Sequence, residues 1–143
     1  MNPPAPSADV RALNAILSFH AHVYYEPERT RSHAETLRQR IGEHFAVQLG
    51  RWHDVPVGPH TAAMYQVAFR PEVFATLLPW LMLNRGGLSV LVHPNTLAPR
   101  DDHLRHALWL GEALPLKEQV LPLRIDAAQE SPIEANTTPT LAL

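Results

Sequence analysis

The chain is 143 residues long, with a formal net charge of −2, 45% hydrophobic residues and 18% charged residues, the composition of a single globular domain. It contains no cysteine, which excludes disulfide frameworks, thiolate metal sites and Cys nucleophiles. The near-neutral charge leaves no electrostatic footprint for nucleic acid or an anionic membrane, and no apolar run approaches the ~20 residues of a membrane span.

Residues 1–12 open on Met1-Asn2-Pro3-Pro4-Ala5-Pro6-Ser7 and read as a disordered arm. They lack the basic and apolar regions of a signal peptide, so a cytoplasmic protein is expected. Residues 13–120 carry the periodic segments and read as the domain. Residues 16–24 alternate as a strand, with Phe19, Ala21 and Val23 on one side and His20, His22 and Tyr24 on the other. A helix should follow from Ser32, whose spacing to Glu35 matches a capping box; Ala34, Leu37 and Ile41 then share a face. Residues 45–50 read as a short strand. Pro56, Gly58 and Pro59 make residues 51–61 a loop. Residues 61–69 alternate again, with Ala63, Tyr65, Val67 and Phe69 opposite Met64, Gln66 and Ala68.

Pro71 suits the first position of a second, almost wholly apolar helix. Pro79 should kink that helix, and Asn84-Arg85-Gly86-Gly87 should end it. Residues 88–92 form a strand closed by Pro94. Residues 107–110 fit a fifth strand or the end of a short helix beginning near Asp101. Residues 121–143, with Pro122, Pro132 and Pro139, read as a mostly disordered tail. The order is an α+β, ferredoxin-like βαββαβ antiparallel sheet with both helices on one face, plus a short extra C-terminal element. Its first strand lies between the fourth and the third.

Nine histidines are about three times ordinary usage. His20 and His22 project from the same strand face with roots ~7 Å apart, a spacing that suits two ligands of one metal ion. His93, at the end of the neighbouring fourth strand, should approach His20. These three form the expected metal core. His60 begins the third strand after Gly58-Pro59, and His103 and His106 sit three apart on a helical turn; these are the catalytic candidates. His33 and His44 read as solvated, and His53 as a loop residue held by Asp54. Met64, Leu91 and Leu108 are expected beside the histidines on the helix-free face. Such a patch predicts a homodimer, unless the C-terminal segment folds back over it.

Several blocks in order resemble the DOPA 4,5-dioxygenase family of extradiol ring-cleaving enzymes and their bacterial relatives. They are Phe19-His20-Ala21-His22-Val23-Tyr24, Gly50-Arg51-Trp52-His53-Asp54-Val55-Pro56-Val57-Gly58-Pro59-His60, Pro79-Trp80-Leu81-Met82, Val92-His93-Pro94 and Asp102-His103 with His106-Ala107-Leu108-Trp109. The resemblance implies a ferredoxin-like fold and a non-haem Fe(II) enzyme that opens a catechol ring beside its hydroxyls with O₂. It maps the family's histidine positions onto His20, His22, His60, His93, His103 and His106. The sequence departs at Asn95-Thr96-Leu97, where the family pattern has a glycine after the threonine. An open iron site commonly uses two His and one carboxylate; Glu26, Asp54, Asp101 or Asp102 would have to supply it here, and a three-histidine site is the simpler alternative. Zn(II) suits the same ligands in purified protein. A metal- or small-molecule-binding module, or a zinc hydrolase, is the competing reading of the histidine cluster.

Overall fold

The computed structural model describes residues 9–143, so most of the expected arm lies outside them. The elements are β1 (Ser18–Tyr25), α1 (Arg31–His44), β2 (Gln48–Leu49), β3 (Ala63–Phe69), α2 (Phe74–Asn84), β4 (Val90–Asn95), α3 (Pro99–Leu104) and β5 (Leu108–Leu110). The strands form one antiparallel sheet in the order β2-β3-β1-β4-β5. β1 is central, and its register pairs Ala21 with Val67 on one side and Val92 on the other. This is the α+β ferredoxin-like arrangement, extended by one strand.

One face of the sheet is dry. Ala21, Val23 and Tyr25 of β1, Ala63, Tyr65, Val67 and Phe69 of β3, and Val90 and Val92 of β4 are buried there. Ala34, Leu37 and Ile41 of α1 and Leu77, Leu78 and Leu81 of α2 pack against them. Each such Leu or Ile contributes roughly 1.5–3 kcal/mol by leaving water. Period-two alternation therefore assigns the other residues of the same strands, the histidines among them, to the opposite face.

Local details depart from expectation for identifiable reasons. α1 starts at Arg31 rather than Ser32, so Ser32 and Glu35 form no capping box. Thr30, the N-cap residue, makes no side-chain cap bond; its hydroxyl instead accepts from the Glu26 N–H at 2.8 Å, while Glu35 pairs with Arg31. Pro71 opens a 3-10 turn, Pro71–Val73, that leads into α2, and α2 continues through Pro79. β4 runs past Pro94 to Asn95. β5 pairs only with residues 90–92, so the missing N–H of Pro94 costs no pairing with it. The stretch read as either a helix or a strand contains both, α3 and then β5.

Two larger expectations change. Leu108 pairs with Val92 and so shares the parity of the helix-facing residues; Trp109, opposite Leu91, is the β5 residue on the histidine face. Met64 and Leu91 are buried within one chain, in a cluster with Tyr24 that Trp109, Leu114 and Leu116 cover. The exposed patch from which a homodimer was expected is thus closed by the segment after β5, the alternative raised for that face.

The segment read as a disordered tail, 121–143, is ordered along the domain. Arg100 N–H and Nε donate to the carbonyls of Pro122 and Leu121, and Ile125 N–H to Leu97 O. Arg70 holds the Ile133 carbonyl at 2.7 Å. Asn136 then clasps β2: its Oδ1 accepts from Leu49 N–H at 2.8 Å and its Nδ2 donates to Leu49 O at 3.0 Å. Thr137 Oγ1 accepts from Val47 N–H and donates to Phe45 O. Low apolar content hid these contacts, because backbone and side-chain hydrogen bonds make them. Among the described residues, no helix is long and apolar enough to cross a membrane.

Candidate metal centre

The sheet register sets the site. His20 lies opposite His93 across the β1–β4 ladder, and His22 shares the face of His20 two residues along. One ligand atom from each of His20, His22 and His93 lies within 4.8 Å of those of the other two. His22 Nε2 and His93 Nε2 are 3.1 Å apart. His60 and His103 complete a packed group of imidazoles. The ring of His103 lies 3.9 Å from that of His93, and the ring of His60 lies 4.3 Å from that of His22, between centroids.

Hydrogen bonds fix the tautomers. A carbonyl oxygen only accepts, so His93 Nδ1 must donate to Pro94 O at 2.9 Å and His103 Nδ1 to Pro99 O at 2.7 Å. Both rings therefore present a bare Nε2. His60 is set the other way. The Tyr24 hydroxyl lies 2.6 Å from His60 Nδ1, and burial pushes the phenol pKa up, so it keeps its proton. Among the described residues, no other acceptor serves that buried O–H. Tyr24 therefore donates, and His60 carries its own proton on Nε2. The loop bearing His60 is pinned from outside: His60 bridges to Leu116, Lys117 N–H donates to Pro59 O, and Thr61 Oγ1 to Pro115 O.

All five rings are held neutral. Burial, with His103 nearby, lowers His20 to about 4. Burial, with His103, His53 and His20 nearby, lowers His60 to about 4. His22, His93 and His103 are also lowered, chiefly by burial. A cluster of unprotonated imidazoles is primed for a cation, which need displace no proton at neutral pH from nitrogens already bare. Three features fit a metal ion. The two facing Nε2 atoms are separated as two nitrogens bound at ~2.1 Å to one ion would be. His93 has the outer carbonyl partner typical of a metal-ligating histidine. His22 Nδ1 is buried without a hydrogen-bond partner, so the ring is held through Nε2 alone, against the Nε2 of His93.

The remaining candidates fall elsewhere. His106 lies outside the cluster; its Nδ1 donates to Asp102 Oδ1 at 2.9 Å, and Arg11 approaches its other nitrogen. Asp102 is buried and also accepts from Thr96 N–H and Oγ1. Asp101 pairs with Arg105, Glu26 with Arg29, and Asp54 with Arg31 and Tyr25. All four carboxylates are thus engaged away from the clustered imidazoles, and among the described residues the ligand atoms that converge are those of His20, His22 and His93. His33 is exposed, with Nε2 at 3.2 Å from Arg85 O. His44 is half-buried against Trp80, and His53 bridges to Met64 rather than resting on Asp54.

The profile of the Dopa 4,5-dioxygenase family matches residues 19–120. The chain belongs to that family. The matched span holds all five clustered histidines. An uncharacterized 21.2 kDa protein of Botryotinia fuckeliana is 39% identical over 110 residues, covering 69% of this chain and 60% of that protein. The DOPA 4,5-dioxygenase of Amanita muscaria is 32% identical over 131 residues, covering 85% of this chain and 58% of that enzyme. The chain thus spans about three-fifths of the length of these curated relatives. The crystal structure of a "putative dioxygenase" from Nostoc punctiforme PCC 73102 is similar at a TM-score of 0.76 and 49% identity, covering 78% of this chain and 96% of that one.

Sequence reasoning missed Tyr24 as a functional residue. The signal was present, since Tyr24 shares the strand parity of His20 and His22. It also missed the wall of the cleft beside His20, built by Gln129, Glu130, Ser131 and Ile133 of the tail together with Gln48 and Gln66.

Proposed function

We propose that the protein is a non-haem Fe(II) extradiol dioxygenase that opens the ring of a catechol-type substrate with O₂. The observation that carries this reading is the convergence of His20, His22 and His93 with two further imidazoles of opposite tautomer, on a chain of this family. His20, His22 and His93 would hold the iron. Bound iron supplies the electronic route between a singlet catechol and triplet O₂.

The chain's own groups handle protons and position. His103, with its bare Nε2, is the acceptor for a catechol hydroxyl proton. His60, with Nε2–H, is the donor that meets negative charge developing on oxygen. His20 borders a cavity of about 250 Å³, where the ring would lie. The Tyr24, Met64 and Leu91 cluster under Leu114 and Leu116 keeps water from the other side of the imidazoles. Overall, one ring C–C bond breaks, both atoms of O₂ enter the product, and a semialdehyde with a carboxylate results.

The test is oxygen uptake. Protein purified without an affinity tag, reconstituted anaerobically with Fe(II) and given a catechol panel, should consume one O₂ per ring and form a yellow product. His22→Ala and His93→Ala should lose metal and turnover together, whereas His33→Ala should keep both. Absence of uptake across the panel, with tight Zn(II) retention and ester hydrolysis, would establish the zinc hydrolase reading instead.

A further inference from the structure

Gln129, Glu130, Ser131 and Ile133 lie outside the span matched by the family, 19–120, yet they wall the cavity that borders His20. Its lining includes Gln48, Gln66, Gln129, Glu130 and Ser131. The glutamines and the serine are neutral, and His20 is held neutral by burial. Among the described residues, Glu130 is the one acidic or basic group of Asp, Glu, Lys or Arg type lining that space.

We propose that Glu130 is a specificity-determining residue, selecting ring substrates with a positively charged substituent over those with a carboxylate. This rests on the catechol reading above. Three observations support it. First, the Glu130 carboxylate forms no hydrogen bond or ion pair among the described residues, whereas Glu26, Asp54, Asp101 and Asp102 all do. Second, Arg70, the cation lining the adjacent cavity that Glu130 also borders, donates to the Ile133 carbonyl and forms no ion pair with Glu130. Third, the wall is held at both ends. The 3-10 turn Ala127–Gln129 is held by Asp126 N–H donating to Gln129 Oε1 and Gln129 N–H to Asp126 O just before Glu130, and Arg70 fixes Ile133 just after it.

Burial and the negative charge of Asp102 raise the Glu130 carboxyl, the direction expected of an acid with no cation beside it. An ammonium on the substrate would supply that cation. A carboxylate there would meet like charge, in a cleft with no Lys or Arg to offset it. Such discrimination comes as much from the repelled ligand as from the attracted one.

The test is a binding series on the full chain loaded with Fe(II) under anaerobic conditions, read by tryptophan fluorescence. The ligands are 4-methylcatechol as a charge-free reference, 4-(2-aminoethyl)catechol and 3-(3,4-dihydroxyphenyl)propionate. Expressed relative to the reference, the amine should bind at least about fivefold tighter than the acid, an effect of the size of a partly screened ion pair. The preference should shrink at high salt. Glu130→Gln should bring the two within about twofold, and Glu130→Lys should reverse the order. Equal binding of amine and acid by the wild-type chain, or a preference that survives Glu130→Gln, overturns the assignment while leaving the catechol reading intact. Failure of 4-methylcatechol itself to bind overturns the catechol reading and this inference with it.

Discussion

Tyr24 decides which nitrogen of His60 carries the proton, through a single 2.6 Å bond. Tyr24→Phe keeps the stacking on Trp109 but frees the tautomer. It should leave metal content unchanged and lower turnover by roughly 10–100-fold, as loss of an outer hydrogen-bond partner commonly does; metal analysis alongside oxygen uptake separates the two effects. Leu97 is the other informative residue. It has φ 69, the only positive value among described non-glycine residues, at the position where the resemblance leads to the expectation of glycine. The fold accepts the left-handed strain because Asp102 grips Thr96 twice and Ile125 N–H bonds Leu97 O. Leu97→Gly should therefore be neutral or stabilising by up to ~1 kcal/mol, whereas Leu97→Ile should cost about 1 kcal/mol or more, since β-branched residues tolerate this region worst. Paired denaturant midpoints would show it.

The element most exposed to misassembly is β2, a two-residue edge strand at one end of the sheet. Asn136 acts as a substitute neighbour, since its amide meets both the N–H and the C=O of Leu49. Covering an edge in this way blocks pairing with other chains. Asn136→Ala leaves both groups to water and should cost about 1–2 kcal/mol, with greater aggregation on heating as seen by light scattering. This clasp also shows where sequence reading stops. β1, β3 and the two long helices were legible because their apolar residues repeat at a period of two or of three to four. The parity of His20 and His22 followed from β1, and the approach of His93 from the strand order that sets β4 beside β1. The tail has no such period. Asn136, Thr137 and Ile125 act through hydrogen bonds to backbone atoms that are remote in sequence, so neither the covered β2 edge nor the wall holding Glu130 could be read from the sequence. His106 lies apart from the cluster for a related reason: its Nδ1–H goes to its i,i+4 partner Asp102.

At the scale of the molecule, packing five neutral imidazoles into one face makes the metal-free fold sensitive to acid. Above pH 6.5 neither folded nor unfolded chain protonates these groups, and stability is fully present. As the pH falls from 6.5 toward 4, the unfolded chain takes up protons that His20 and His60, lowered to about 4, and the other three rings refuse in the folded state. Each unit of lowering costs roughly 1.4 kcal/mol once the pH has passed through it. Urea midpoints of metal-free protein should fall steadily between pH 7 and pH 4.5; a flat profile would mean that the rings are not buried neutral. The route of the tail adds a consequence for how the molecule assembles. Asn136 clasps Leu49 across 87 residues of chain, and it has nothing to clasp until β2 lies beside β3. Contacts so distant in sequence form late, after the loop-closure entropy has been met by nearer ones. The face that carries the imidazoles would thus form while the tail beside it is still open to water, and an ion bound by the proposed site would have no wall to cross.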